Sequence, residues 1–218
     1  MGFLVIADSR NRGHWLDVRN DLVTASEAWM MILPGKDGED PRELLISQKV
    51  SRSQPDENEP MRWGRRLERP IFDGLCLEDP ICTWGVTPFG LLVRDPECED
   101  LAATPDALAY THTPGHVLPM QVKSGGFPWT VTKEMKSDAI KAGVPIESLS
   151  PIKEYVQIQM QVEMACTASP RALLGRLHAA KGLAHDFYVV DRHQPIIDRL
   201  RNEARSVMAE VRARRGGR

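Results

Sequence analysis

The chain is poor in cysteine, and Cys76, Cys82, Cys98 and Cys166 show no C-x-x-C spacing. That argues against a zinc or iron–sulfur framework and leaves these residues as core thiols in a reducing compartment. No apolar run approaches the roughly 20 residues needed to span a bilayer. The opening Met1–Asp8 has neither a basic leader nor a long apolar segment, so a cytoplasmic location without a membrane partner is expected. No charge of one sign dominates either. With a net charge of −2, a surface for a polyanion has to be a local patch. No internal repeat and no second domain are visible. What remains is 218 residues, 42% hydrophobic and 27% charged, the length and composition of one soluble domain over 1–218.

The stretch from Thr104 to Lys123 carries the most chemistry. Thr104-Pro105-Asp106 is followed, after fourteen intervening residues, by Gln121-Val122-Lys123. Two adjacent strands would bring these ends together. Residues two apart in a strand share a face, so Gln121 and Lys123 point one way while Val122 turns into the core. A carboxylate, an amide oxygen and an ammonium converging on one point suit metal-assisted phosphodiester hydrolysis. Hard cations prefer oxygen ligands, and an ammonium can orient water or offset charge on a phosphate. An ordinary hairpin with polar surface residues is the alternative.

Before this stretch, Trp15, Leu16, Val18 and Leu22 suit one helix, and Thr24 with Glu27 suits the capping box of a second. Such a helix start offers free N–H groups to an anion, with Arg19 and Ser26 near enough to join it. A capped helix with a solvated Arg is the plainer reading. Asp40-Pro41 predicts another helix start, with a polar loop over Ser51–Pro60 after it. Residues 61–76 suit a helix with a basic cluster, on which Glu68 either reaches a metal or pairs with Arg65.

Short apolar runs at Ile81–Val86, Phe89–Arg94, Ala107–Tyr110 and Val117–Lys123 predict antiparallel strands, with Ser124-Gly125-Gly126 as a flexible exit. Trp129 beyond it suits a base-stacking loop or a core position. Residues 151–168 predict a largely buried helix. Gln157 and Gln161 share one of its faces while Gln159 points elsewhere, so the three cannot all serve one site. Two strands, Ala172–Leu177 and Asp186–Val190, are joined by a turn at Lys181-Gly182. A last helix over Pro195–Arg215 ends in a basic tail, expected to be frayed and either solvated or in contact with nucleic acid.

In order, Trp15 with Arg19 and Val23-Thr24-Ala25-Ser26-Glu27, Met61-x-Trp63-Gly64 with Glu68, Ala103-Thr104-Pro105-Asp106, Gln121-x-Lys123, and Tyr155 with the Gln-x-Gln series resemble the YqaJ-type viral recombinase family. These elements run over about four fifths of the chain. The resemblance implies an α/β fold with a restriction-endonuclease-like core, a central mixed β-sheet flanked by helices. It implies a magnesium-dependent exonuclease, with manganese as the alternative ion, that digests duplex DNA from the 5′ end. It further implies a single-strand annealing protein as partner and a homo-oligomer, a ring of three in known members. On the family pattern Asp106 binds metal, Lys123 is catalytic and Glu68 is the overlying acid. Arg19 and Ser26, beside Thr24, receive the 5′-phosphate, and the Val122 carbonyl completes the metal shell. The Gln match admits two registers, Tyr155-x-Gln157-x-Gln159 and Gln159-x-Gln161-x-Glu163-Met164. The departure is Gln121, where the family usually has Glu; the loss of a carboxylate lowers attraction for a divalent ion. An inactive DNA-end-binding module and an endonuclease of defence or repair are the competing functions.

Overall fold

The computed structural model describes residues 4–35, 38–53, 58–78, 85–110, 116–125, 129–142, 145, 149–178 and 184–217. The chain opens with strand β1 (Leu4–Asp8), helix α1 (Arg12–Asn20) and the short strand β2 (Val23–Thr24). A 3-10 turn at Ala28–Met31 leads to helix α2 (Pro41–Ser51), whose Asp40 cap accepts hydrogen bonds from the Arg42 and Glu43 amides. Pro41 suits the first helical position because no intrahelical partner awaits its missing N–H. Helix α3 (Glu59–Glu78) precedes β3 (Val86–Pro88), β4 (Leu91–Asp95), β5 (Cys98–Ala103), β6 (Ala107–Tyr110) and β7 (Val117–Gly125). Helices α4 (Lys133–Ala142) and α5 (Glu154–Thr167), strands β8 (Arg171–His178) and β9 (Ala184–Asp191), and helix α6 (Gln194–Gly216) complete the order.

The expected central sheet is divided in two. One sheet runs β1-β4-β5-β2 and the other β3-β6-β7-β8-β9. Both are mixed, since β2 pairs with β5 in parallel and β7 with β8 in parallel. The parallel β7–β8 pair follows from the crossover through α5, which a hairpin could not supply. Helix α5 is apolar on more than one side and therefore buried. Ile158, Val162 and Cys166 pack into the core beneath the first sheet, while Val156, Met160 and Met164 pack with Ala172 and Leu174 of the second. Helix α3 covers the second sheet with Ile71, Phe72 and Leu75 against Met120, Val122 and Leu173. Its crossing needs Gly175, where an added Cβ would lie 2.1 Å from Leu75 Cδ1.

Several expectations change. Thr24 does not cap an α-helix; it ends β2, and the next element is the four-residue 3-10 turn. The capping-box bond survives in part, because the Glu27 carboxylate still accepts from the Thr24 N–H at 2.9 Å. The basic C-terminal tail is not frayed: α6 runs to Gly216, and Arg214 bonds Glu43 and Glu210 while Arg215 bonds Asp21, Asn20 and Lys49. Strands β1 and β5 and helix α4 went unanticipated. Most of the predicted strand at 81–86, with Cys82 and Trp84, lies outside the described residues, as do Gly126 and the Lys181-Gly182 turn.

Candidate active site

A cavity of about 570 Å³ opens where the two sheets meet α1 and α3. It is lined by Asp106, Gln121, Lys123 and Glu68, and equally by Arg19, Thr24 and Ser26. The predicted catalytic and phosphate-anchoring groups therefore share one chamber. Arg12, Arg65 and Arg69 also line it. Five cationic side chains thus face two carboxylates, a local basic patch in a chain of net charge −2.

The register of β6 and β7 sets the catalytic half. Ala107 pairs with Met120, so Asp106, just before β6, lies beside Gln121 and Val122. One Asp106 oxygen, Oδ2, accepts the Val122 N–H at 2.8 Å, leaving Oδ1 for other ligands. Gln121 and Lys123 share a face as expected, and Lys123 Nζ donates to Gln121 Oε1 at 3.0 Å, while Val122 is 3% exposed in the core. Glu68 projects from α3 at the rim. Burial, and then the charge of Asp106, push the Glu68 carboxyl up to about 7, with Lys123 and Arg65 pulling the other way. Asp106 is itself raised by burial, against the opposing effects of Lys123, the Val122 N–H and the Gln121 amide. The charge of Asp106 thus disfavours ionisation of Glu68, which a divalent cation would relieve.

Among the described residues no group of three or more His, Cys, Asp or Glu gathers to hold a metal ion. The oxygens present still suit magnesium, which commonly uses one or two carboxylates and completes its shell with water and substrate phosphate. Here those are Asp106 Oδ1 and Glu68, with the second lone pair of Gln121 Oε1 alongside.

The anchoring half is built differently. Arg19 stacks on the Trp15 ring at 4.4 Å and donates to Thr24 Oγ1 at 3.2 Å, and Thr24 Oγ1 lies 3.3 Å from Ser26 Oγ. Glu27 ties the segment down from behind, accepting from Thr24 Oγ1 at 2.7 Å and Lys49 Nζ at 2.8 Å. Lys49 also donates to the Arg19 carbonyl at 2.9 Å. Burial works against the Glu27 carboxylate, but the charges of Lys49 and Arg19 and the bonds from Lys49 and Thr24 outweigh it and lower its pKa.

On α5 only Gln159 reaches the cavity. Gln157 donates to the Ile152 carbonyl at 2.7 Å, and Gln161 links the Asp191 carbonyl to the His193 N–H, so both serve the fold on another face. Tyr155 is exposed beside Lys153, away from the cavity. Helical periodicity separates the three glutamines as expected, and it is Gln159 that faces the site. Trp129 is half-buried, packs against the α5 core cluster under the Arg176 guanidinium, 4.5 Å away, and lines a different cavity from Asp106. Glu163, named from sequence only as part of one glutamine register, is fully buried and accepts a hydrogen bond at 3.0 Å from Nε2 of Gln159, four residues earlier. That spacing was the available signal. Burial, then the charge of Asp106, raise the Glu163 pKa well above the ordinary value.

The chain is an α/β protein of two mixed sheets with a carboxylate–amide–lysine cluster at a strand end. A family model, the YqaJ-like viral recombinase domain, matches residues 14–170, and the chain belongs to that family. No curated protein matches the sequence. Among solved structures the chain is similar to an alkaline exonuclease from Laribacter hongkongensis, with 22% identity, 92% of this chain and 93% of that chain covered, and a TM-score of 0.64. A complex of the same exonuclease with dAMP matches at 20% identity, the same coverage and the same TM-score. A phage-related exonuclease from Haemophilus somnus 129PT matches at 14% identity over 87% and 93% of the two chains, with a TM-score of 0.60. At these identities the likeness shows the fold. Among the described residues no helix is long and apolar enough to cross a membrane.

Proposed function

We propose that this chain is a metal-dependent exonuclease that digests linear double-stranded DNA from a 5′ end and leaves a 3′ single strand. The observation that carries this reading is the shared cavity, in which Asp106, Glu68, Gln121 and Lys123 stand across from Arg19, Thr24 and Ser26. A strand terminus held by the second group places its first phosphodiester toward the first. Membership of the recombinase family and the fold shared with exonucleases of phage and bacterial origin support it.

Asp106, Glu68, the Gln121 amide oxygen and the Val122 carbonyl would hold magnesium, or manganese in its place. When bound, that ion supplies charge to offset the negative charge growing on the phosphate and makes water a better nucleophile. Lys123 Nζ, positioned by Gln121 Oε1, orients the attacking water or neutralises a phosphate oxygen. The half-buried Arg19 guanidinium, flattened on Trp15, presents a fork suited to a terminal phosphate, with the Ser26 hydroxyl adding a donor. Family resemblance adds a single-strand annealing protein to receive the product and a ring of three copies.

The test is degradation of a 5′-phosphorylated linear duplex by the purified chain with magnesium. Shortening of linear but not covalently closed circular DNA, abolished by chelator and by Asp106→Ala, is the expected result. Linear DNA left intact with magnesium and with manganese would overturn it, and equal cutting of circles would make the chain an endonuclease. The neutral Gln121 favours one second reading, a DNA-end-binding module without hydrolysis, which predicts capture of duplex ends and no product with any divalent ion.

A further inference from the structure

A buried acid, Glu163, stands beside the site without touching the proposed cation or substrate groups directly. Glu163 is 0% exposed and Gln121 is 1% exposed. Lys123 is a donor only and bonds the Gln121 side chain at 3.0 Å, which fixes that end of the amide as oxygen. The other end, Nε2, is buried without a hydrogen-bond partner, and so is Glu163 Oε2. Gln121 pairs with Leu174 across β7 and β8, Leu174 packs against Met160 and Met164 of α5, and Gln159, which bonds Glu163, lines the same cavity as Gln121, so the two side chains lie on the facing surfaces of β7 and α5, with Asp106 as the other acid the amide acts on. The second Glu163 oxygen is taken by Gln159. An amide N–H₂ lacking an acceptor therefore stands next to a carboxyl oxygen lacking a donor, and buried polar groups are costly in that state.

We propose that Glu163 is a positioning residue: it takes the Gln121 amide on its free oxygen and so turns the Gln121 carbonyl toward Lys123 and the cation. The inference rests on the reading above for what the site binds, and it explains the neutral residue at 121. A Glu at that position would set its carboxylate against Glu163 and Asp106 together, with water excluded. The acid lacking on β7 is present instead one layer away, on α5, with the amide as the connecting piece. Exchanging the two, acid at 121 and amide at 163, keeps the charge and the hydrogen bond and should preserve the site. Changing either alone should not.

The experiment compares Gln121→Glu, Glu163→Gln and the double variant with the unmodified chain. Three quantities are read: melting temperature without metal, the Kd for magnesium or manganese by calorimetry without DNA, and kcat with KM on linear duplex. Gln121→Glu should melt lower than the parent in the absence of metal. Glu163→Gln should weaken cation binding by about tenfold or more, the usual effect of removing a group that orients a ligand. Its kcat should fall with little change in KM. The double variant should return to within about threefold of the parent in Kd and kcat, a coupling that independent sites do not show. A Glu163→Gln protein that melts lower but keeps its Kd and kcat would reduce Glu163 to a structural role and overturn the proposal. So would a Gln121→Glu protein that binds cation more tightly and melts no lower than the parent. If no variant digests DNA, the function proposed above fails, while the metal-free melting and cation-binding cycle still decides the pairing.

Discussion

The two halves of the cavity use opposite electrostatic designs. Around Arg19 and Thr24 the half-buried acid, Glu27, has a cation and a hydroxyl on it, and its pKa is lowered. Around Gln121 burial raises the pKa values of Asp106, Glu68 and Glu163, and the charge of Asp106 raises the other two further. The bonds on Glu27 hold the first half in shape, with Arg19 Nε left without a partner; the second half holds buried acids that a cation could relieve. Perturbed carboxyls in a cleft point to a binding or reacting centre, whereas satisfied ion pairs point to support. On the proposed function, hydrolysis falls to the second wall and end recognition to the first.

The comparison breaks most sharply at the reacting wall. Asp106→Ala and Lys123→Ala should each lower the rate on linear duplex by about a thousandfold or more, measured by release of nucleotides from labelled DNA. Melting should change little by comparison. Glu27→Gln tests the other wall and should act mainly on stability. It leaves Lys49, only 3% exposed, without its counter-charge, at a cost of about 3–5 kcal/mol, read by denaturant unfolding.

A pH series sharpens the contrast because the two walls titrate with opposite sign. Glu27 has a lowered folded pKa, so its contribution to stability is present above the ordinary carboxylate value and is lost as pH falls through the folded one. Glu68 is raised from 4.5 to about 7, so in metal-free protein its contribution is present below 4.5 and lost as pH rises toward 7. Cation affinity should correspondingly strengthen as pH climbs to about 7 and flatten above it, by calorimetry across the series. The smallest effect belongs to residues placed outside the cavity. Tyr155→Ala and Gln157→Ala should leave the initial rate within about twofold, surface and distal changes being usually mild.

The reacting wall was largely legible in the sequence, and the physical reason is period. Gln121 and Lys123 are two apart in a strand, and Val122 between them is apolar, so their shared face follows from the pleat alone. The split among Gln157, Gln159 and Gln161 followed equally from helical geometry, though which one faces the cavity did not. The anchoring wall was legible in membership but not in structure. Thr24 and Glu27 carry a helix-start pattern, yet the pairing of β2 with β5 and the pull of Lys49 from α2 draw the segment into a strand and a 3-10 turn. Both partners are distant in sequence, so no local pattern reveals them. The same holds for the C-terminal arginines: their acids, Glu43, Asp21 and Asp100, lie more than a hundred residues away, so a docked helix looked like a free basic tail. Division of the expected sheet into two depends on α5 being apolar toward both, a property visible in composition but not in which sheet each side meets.

The central claim is that one cavity joins a hydrolytic centre to a strand-end anchor, and Arg19 tests it most directly. Initial rates are compared on linear duplexes with a 5′-phosphate and with a 5′-hydroxyl, for the unmodified chain and for Arg19→Ala. The account predicts a preference for the phosphorylated end of about tenfold or more in the unmodified chain, as expected for a charge-assisted hydrogen bond. In Arg19→Ala that preference should vanish. An Arg19→Ala protein that retains the full preference, or an unmodified chain that shows none, would contradict it.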